Sequence, residues 1–156
     1  MIEIMEPSDW AVRIEFEKGG YVLPEEARFL GRDPDFALSM FDFNKISLDE
    51  LREKYFAHPV NPKSYGEDGT EYEIINSKQT NCFRVNRLEV TGSLDREDDS
   101  FYVGIVTRGH GTLKSGRTEI ELKQWDKFFV PYKTGSINYT ADEDMEIVIT
   151  RPPLSK

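Results

Sequence analysis

Residues 101–131, FYVGIVTRGHGTLKSGRTEIELKQWDKFFVP, decide the fold. They read as three short strands joined by tight turns. Phe101 to Thr107 is apolar on both parities, which suits a strand buried on both faces or one set in a barrel wall. Gly109 and Gly111 break that run. Thr118, Ile120 and Leu122 then alternate with Arg117, Glu119, Glu121 and Lys123, the period-two pattern of a strand with one dry and one wet face. After Gln124-Trp125-Asp126, a third run from Lys127 to Val130 ends at Pro131, whose missing amide proton stops the ladder.

Outward from this stretch, Tyr72 to Ile75, Cys82 to Val90, Ser136 to Thr140 and Met145 to Thr150 add short strands separated by Gly, Asn and Asp turns. Such a series predicts a sandwich or small barrel rather than an alternating α/β sheet. Within Cys82 to Val90 the apolar parity switches from Phe83 and Val85 to Leu88 and Val90, as a bulge near Asn86-Arg87 would cause. Residues 61–69, NPKSYGEDG, have linker composition and divide a lead-in, residues 1–60, from a β domain, residues 70–156.

The lead-in opens with a strand, Trp10 to Phe16, in which Trp10, Val12, Ile14 and Phe16 share one face. Gly19-Gly20 turns it. A short helix follows across 23–31, with Pro24 at its start, acids in its first turn and Gly31 at its stop. Residues 33–43 fit either a helix begun by Asp33-Pro34 or an alternating strand, and the helix is preferred. Ser47 and Glu50 form a capping box with Ile46 and Leu51 as its hydrophobic staple. Leu48, Leu51 and Tyr55 share one face of that helix, which should end near Ala57 because Pro59 disfavours helical geometry before it.

At 156 residues the chain can bury one ordinary core. No stretch matches a transmembrane helix or a signal segment, and the single cysteine, Cys82, excludes internal disulfides and a cysteine-based metal site. A cytoplasmic setting is the simplest expectation. The net charge of −9, with no basic cluster, argues against nucleic acid as a partner.

These strands resemble a cupin, an all-β double-stranded β-helix of the jelly-roll type, here with a few short helices in the lead-in. Cupins carry a first motif with two histidines and a glutamate, then a glycine after six intervening residues; a second motif has glycine, proline, glycine and a further histidine. Laid on that pattern, Gly109 takes the first motif's glycine, so Tyr102 stands for the glutamate, and Asp95 and Glu97 stand about where the histidines belong. Pro131 is kept in the second motif, while Trp125 and Lys133 replace its glycines and Ser136 its histidine. The resemblance thus keeps the barrel and loses the metal ligands. Asp95 and Glu97 lie in the polar run LDREDDS, read as a solvated turn, so no metal is expected in the barrel.

Within the cupins, FRVNRLEVTG, FYVGIVTRGHGTL, LKQWDKFFVPY and MEIVITRPP resemble the carboxy-terminal cupin of type I phosphomannose isomerases. Ser8-Asp9-Trp10-Ala11-Val12-Arg13 resembles that family's S-D-x-x-x-R strand, whose arginine handles the sugar phosphate. The resemblance implies a catalytic and substrate-binding role for Arg13. A salt bridge of Arg13 to Glu15 or Glu17 neighbours across the sheet is the equal alternative. The family's zinc ligands, a glutamine, two histidines and a glutamate, precede this strand and have no counterpart here. His58 and His110 lack partners at metal-ligand spacing and read as surface histidines.

Two functions follow as expectations. The chain is the carboxy-terminal portion of a mannose-6-phosphate isomerase-like protein, without cofactor or activity by itself, zinc and the sugar phosphate belonging to the full-length family. Alternatively it is a non-catalytic cupin module for small-molecule (sugar) binding or homodimerisation. The rings of Tyr102, Trp125, Phe128, Phe129, Tyr132 and Tyr139 would suit a carbohydrate pocket, although barrel aromatics are more often core.

Overall fold

The computed structural model describes residues 2–5 and 11–154, in two units, Met1–Phe56 and Ala57–Lys156. In the first unit a two-residue ribbon, β1 (Glu17–Lys18) with β2 (Tyr21–Val22), precedes three helices, α1 (Glu25–Arg28), α2 (Pro34–Ser39) and α3 (Leu48–Tyr55). Local signals set the helices. Asp33 caps α2 by accepting from the Phe36 amide at 2.8 Å, and Ser47 and Glu50 complete the capping box of α3.

The strand expected across Trp10 to Phe16 does not form within its described part, residues 11–16. Arg28 is the reason. Its guanidinium donates to the carbonyls of Ile14 (2.6 Å) and Arg13 (3.3 Å), and its own carbonyl accepts from the Arg13 amide (2.9 Å), so groups that a neighbouring strand would pair are already taken. Ser8, Asp9 and Trp10 lie outside the described residues.

Among the described residues the second unit holds eight strands: β3 (Val60–Ser64), β4 (Gly69–Ile75), β5 (Arg84–Val90), β6 (Ser93–Arg96), β7 (Tyr102–Ser115), β8 (Thr118–Lys123), β9 (Lys127–Val130) and β10 (Ile137–Arg151). The sheet runs β3-β4-β5-β10-β7-β8, with β6 added on β10 and β9 on β7. The stretch 61–69, read as a linker, contributes residues to β3, which pairs antiparallel with β4.

Two long strands, β7 and β10, carry the architecture. The first half of β7 pairs with β9 and the second with β8, while β10 pairs first with β6 and then with β5. Gly109 and Gly111 were expected to break β7; they bend it instead. Gly109 has φ +73°, and the β7–β10 register slips between Ala141 and Ile147 opposite it. The inward parity of β7 changes there, from Tyr102, Gly104 and Val106 to Gly111 and Leu113. Only one face of the first half is dry, since Val103 is 40% exposed. Along β8 only Leu122 is buried.

The register between β5 and β10 runs unbroken from Arg84 to Val90, so the expected bulge at Asn86-Arg87 is absent. The irregularity lies on β4, between Glu73 and Ile75. Val85 is buried outside the main core cluster, which is why the apolar parity of β5 switches.

One apolar cluster fills the barrel, including the fully buried Leu88, Val90, Val106, Met145, Ile147 and Ile149. Burying each such side chain contributes roughly 1.5–3 kcal/mol. This core and the sheet from β3 to β10 form the all-β, jelly-roll barrel that the sequence predicts. Among the described residues no helix is long and apolar enough to cross a membrane.

Candidate functional site

The barrel encloses charge as well as hydrocarbon. In β6 the buried residues are Leu94 and Arg96, so alternation carries Arg96 inward and Asp95 outward, and Asp98 follows two residues on. Arg151 ends the inward series Met145, Ile147, Ile149 of β10. Glu71 comes from β4, opposite Leu88 of β5.

These four side chains are 2–8% exposed and converge. Arg151 donates from Nη2 and Nε to the Asp98 carboxylate, at 2.6 Å and 3.1 Å to Oδ2, and from Nη2 to Glu71 Oε1 at 3.0 Å. Arg96 Nη2 donates to Asp98 Oδ2 at 2.7 Å and lies 3.4 Å from Glu71 Oε2. The Tyr65 hydroxyl donates to the same Glu71 oxygen at 3.1 Å. Two cations thus face two anions. Burial by itself would depress the Arg151 pKa, yet the Asp98 and Glu71 carboxylates outweigh it and raise the value above that of a free arginine. Arg96 Nε and Nη1, by contrast, are buried without a hydrogen-bond partner in the protein.

Tyr102 ties this quartet to the rest of the interior. Both guanidinium carbons lie 5.5 Å from its ring centroid, within cation–π range. Its hydroxyl is 2.7 Å from that of Tyr139. Phe128 packs against both tyrosine rings, with centroids 6.5 Å and 6.2 Å away. The aromatic set therefore splits by face, because Trp125, Phe129 and Tyr132 are exposed.

Asp95 and Glu97, which the motif spacing placed near the metal positions, both point outward. Asp95 accepts from Asn138 Nδ2 at 3.1 Å. The inward residues of that segment are Arg96 and Asp98, one position along from each. Tyr102, standing where the cupin motif has its glutamate, does face the interior. Among the described residues no three of His, Cys, Asp and Glu gather where they could hold a metal ion. The interior donor set does not fit one either: its two carboxylates are engaged by arginines whose permanent positive charges would repel a cation.

Arg13 lies in the other unit, with an exposed side chain and a backbone pinned by Arg28. His58 and His110 are exposed, and His110 Nδ1 lies 3.7 Å from Glu143 Oε2.

Two non-glycine residues adopt the left-handed backbone region at the turns flanking β9, Trp125 (φ +73°) and Lys133 (φ +60°). These are the positions at which the cupin motif carries glycines. The conformation is kept although the residue type has changed.

No protein-family model matches the sequence, and no curated protein matches it. Solved structures do. The mannose 6-phosphate isomerase of Bacillus subtilis aligns with TM-score 0.51 and 18% identity over 61% of this chain. This chain spans only 28% of that structure's length. An ethanolamine utilization protein Q of Salmonella typhimurium aligns with TM-score 0.53 and 8% identity, covering 64% of this chain and 98% of the other. An RmlC-like cupin of Shewanella frigidimarina gives TM-score 0.51 and 12% identity, covering 66% and 94%. Likeness at these identities is a likeness of fold, and that fold is the cupin barrel.

Proposed function

We propose that this chain is a metal-free, non-catalytic cupin barrel with its lead-in, the counterpart of the carboxy-terminal part of a phosphomannose isomerase. The observation that carries this reading is the charge-balanced quartet of Arg96, Arg151, Glu71 and Asp98, in which arginines engage both buried carboxylates that could otherwise serve as ligands. Likeness to the Bacillus subtilis isomerase supports the choice of relative. Interconversion of an aldose and a ketose phosphate would then belong to a protein that supplies the zinc ligands. Arg13 is the residue of this chain proposed to meet the sugar phosphate, since a planar, permanently charged guanidinium pairs well with phosphate oxygens.

The test is a coupled assay for conversion of mannose 6-phosphate to fructose 6-phosphate by the purified chain with added zinc. No turnover above the protein-free control is expected. Turnover abolished by a chelator would overturn the proposal.

A further inference from the structure

A purely structural barrel leaves unused a cavity of about 390 Å³ whose lining includes Leu113, Ile120, Phe128, Val130, Thr134 and Ile137. Its size falls in the range of small-molecule pockets, roughly 300–1,000 Å³. Its place in the register matters more. Ile137 is paired directly with Arg96, and Val130 directly with Tyr102. Residues opposed in an antiparallel pair share a face, with Cα atoms about 4.5–5.5 Å apart. The apolar cavity and the charged quartet are therefore adjoining compartments.

Phe128 is part of the cavity wall. Its ring lies against Tyr102 and Tyr139 and over Gly104, where any Cβ would collide with it. The Arg96 side chain, on the residue paired with Ile137, is 2% exposed and has two N–H-bearing atoms, Nε and Nη1, without a protein acceptor.

We propose that the cavity binds a small uncharged molecule with an apolar ring or chain and one carbonyl or hydroxyl oxygen. The oxygen accepts from Arg96, and the apolar part lies among Leu113, Val130 and Ile137. Charge decides the class. Arg96 and Arg151 are already balanced by Glu71 and Asp98, so an anion would carry an uncompensated charge into the interior beside two carboxylates. A cation would meet two guanidinium groups. A neutral oxygen satisfies the orphaned N–H groups and adds no charge. Arg96 does not line the cavity, so the guest reaches it when a side chain of the wall turns aside. The proposal stands apart from the isomerase relationship and does not require it.

Benzamide and benzoate, nearly equal in shape and different in charge, test this on the isotope-labelled full chain. Benzamide should shift the Arg96 Nε–H resonance together with the methyl signals of Val130 and Ile137, and benzoate should bind about tenfold more weakly or worse, as expected for an unpaired buried charge. Arg96→Met should lose the benzamide response. Because that variant also strips Asp98 of a partner and can fail to fold, Ile120→Trp provides the second arm. Ile120 is 38% exposed, so a larger side chain there obstructs the cavity without touching the quartet, and the same shifts should vanish. Benzoate binding as tightly as benzamide, unchanged benzamide shifts in Ile120→Trp, or no shift with saturating benzamide, benzyl alcohol or cyclohexanone would each overturn the proposal.

Discussion

The hydroxyls of Tyr102 and Tyr139 meet at 2.7 Å in the centre of the barrel, and neither residue has any exposed surface. Each phenol is the other's hydrogen-bond partner. Removing one hydroxyl strands the other, whereas removing both leaves two hydrocarbon rings in an apolar place. Tyr139→Phe should therefore cost about 1–3 kcal/mol, and Tyr102→Phe with Tyr139→Phe should lie closer to wild type than either single variant. Urea unfolding of the four proteins measures this, and simple additivity of the two losses would contradict it.

The same pair predicts alkaline behaviour. Burial raises the pKa of both phenols, Tyr139 well above the ordinary value, while the Tyr139 hydrogen bond and the nearby arginines temper the rise at Tyr102. A group whose folded pKa is raised stabilises fully below its unfolded pKa, about 10 for tyrosine, and loses that contribution as pH climbs toward the folded value. Between those two pKa values the unfolded chain binds fewer protons than the folded one, so stability falls across that window. Tyrosinate absorbance should show a late phase that coincides with unfolding, and the double phenylalanine variant should lack it.

Asp98 is the hub of the quartet, accepting from both Arg96 and Arg151. Asp98→Ala leaves two buried guanidinium groups with only Glu71 between them and should cost about 3–5 kcal/mol. Lys114→Ala breaks the exposed pair with Glu119 and should cost about 0–1 kcal/mol. Denaturant midpoints of the two variants give the comparison, and equal losses would show that the quartet contributes no more than a surface pair.

Backbone geometry supplies a fourth expectation. At Gly109, φ is +73° and an added Cβ would run into the Asp144 carbonyl, so Gly109→Ala should cost roughly 1–3 kcal/mol. Lys133 occupies the same backbone region with a side chain, so Lys133→Gly should be neutral or stabilising by up to about 1 kcal/mol. Thermal unfolding of both variants checks the opposite signs.

What the sequence made legible follows from how local the signals were. Asp33, Ser47 and Glu50 act within one helical turn, and their helices formed where expected. The bend in β7 is not local. Gly109 reads as a breaker until β10 is laid beside it with its own slipped register. The quartet was missed for a related reason. The acidic composition of residues 94–100 suggested a solvated turn, while the alternation from Leu94 to Arg96 pointed inward. Arg151 was available by the same logic, two residues beyond Met145, Ile147 and Ile149 in phase. Glu71 had no such signal, since its in-phase neighbours in β4 are Gly69 and Glu73. Its burial depends on arginines contributed by two distant strands.

The most direct measurement is metal content. The purified chain, equilibrated with zinc and with other divalent ions and then dialysed, should retain no more metal than a chelator-treated control, because both buried carboxylates of the quartet are already engaged by arginines. One tightly held ion per chain, resisting dialysis and lost in a Tyr102→Ala or Asp98→Ala variant that still folds, would contradict the account of a metal-free barrel.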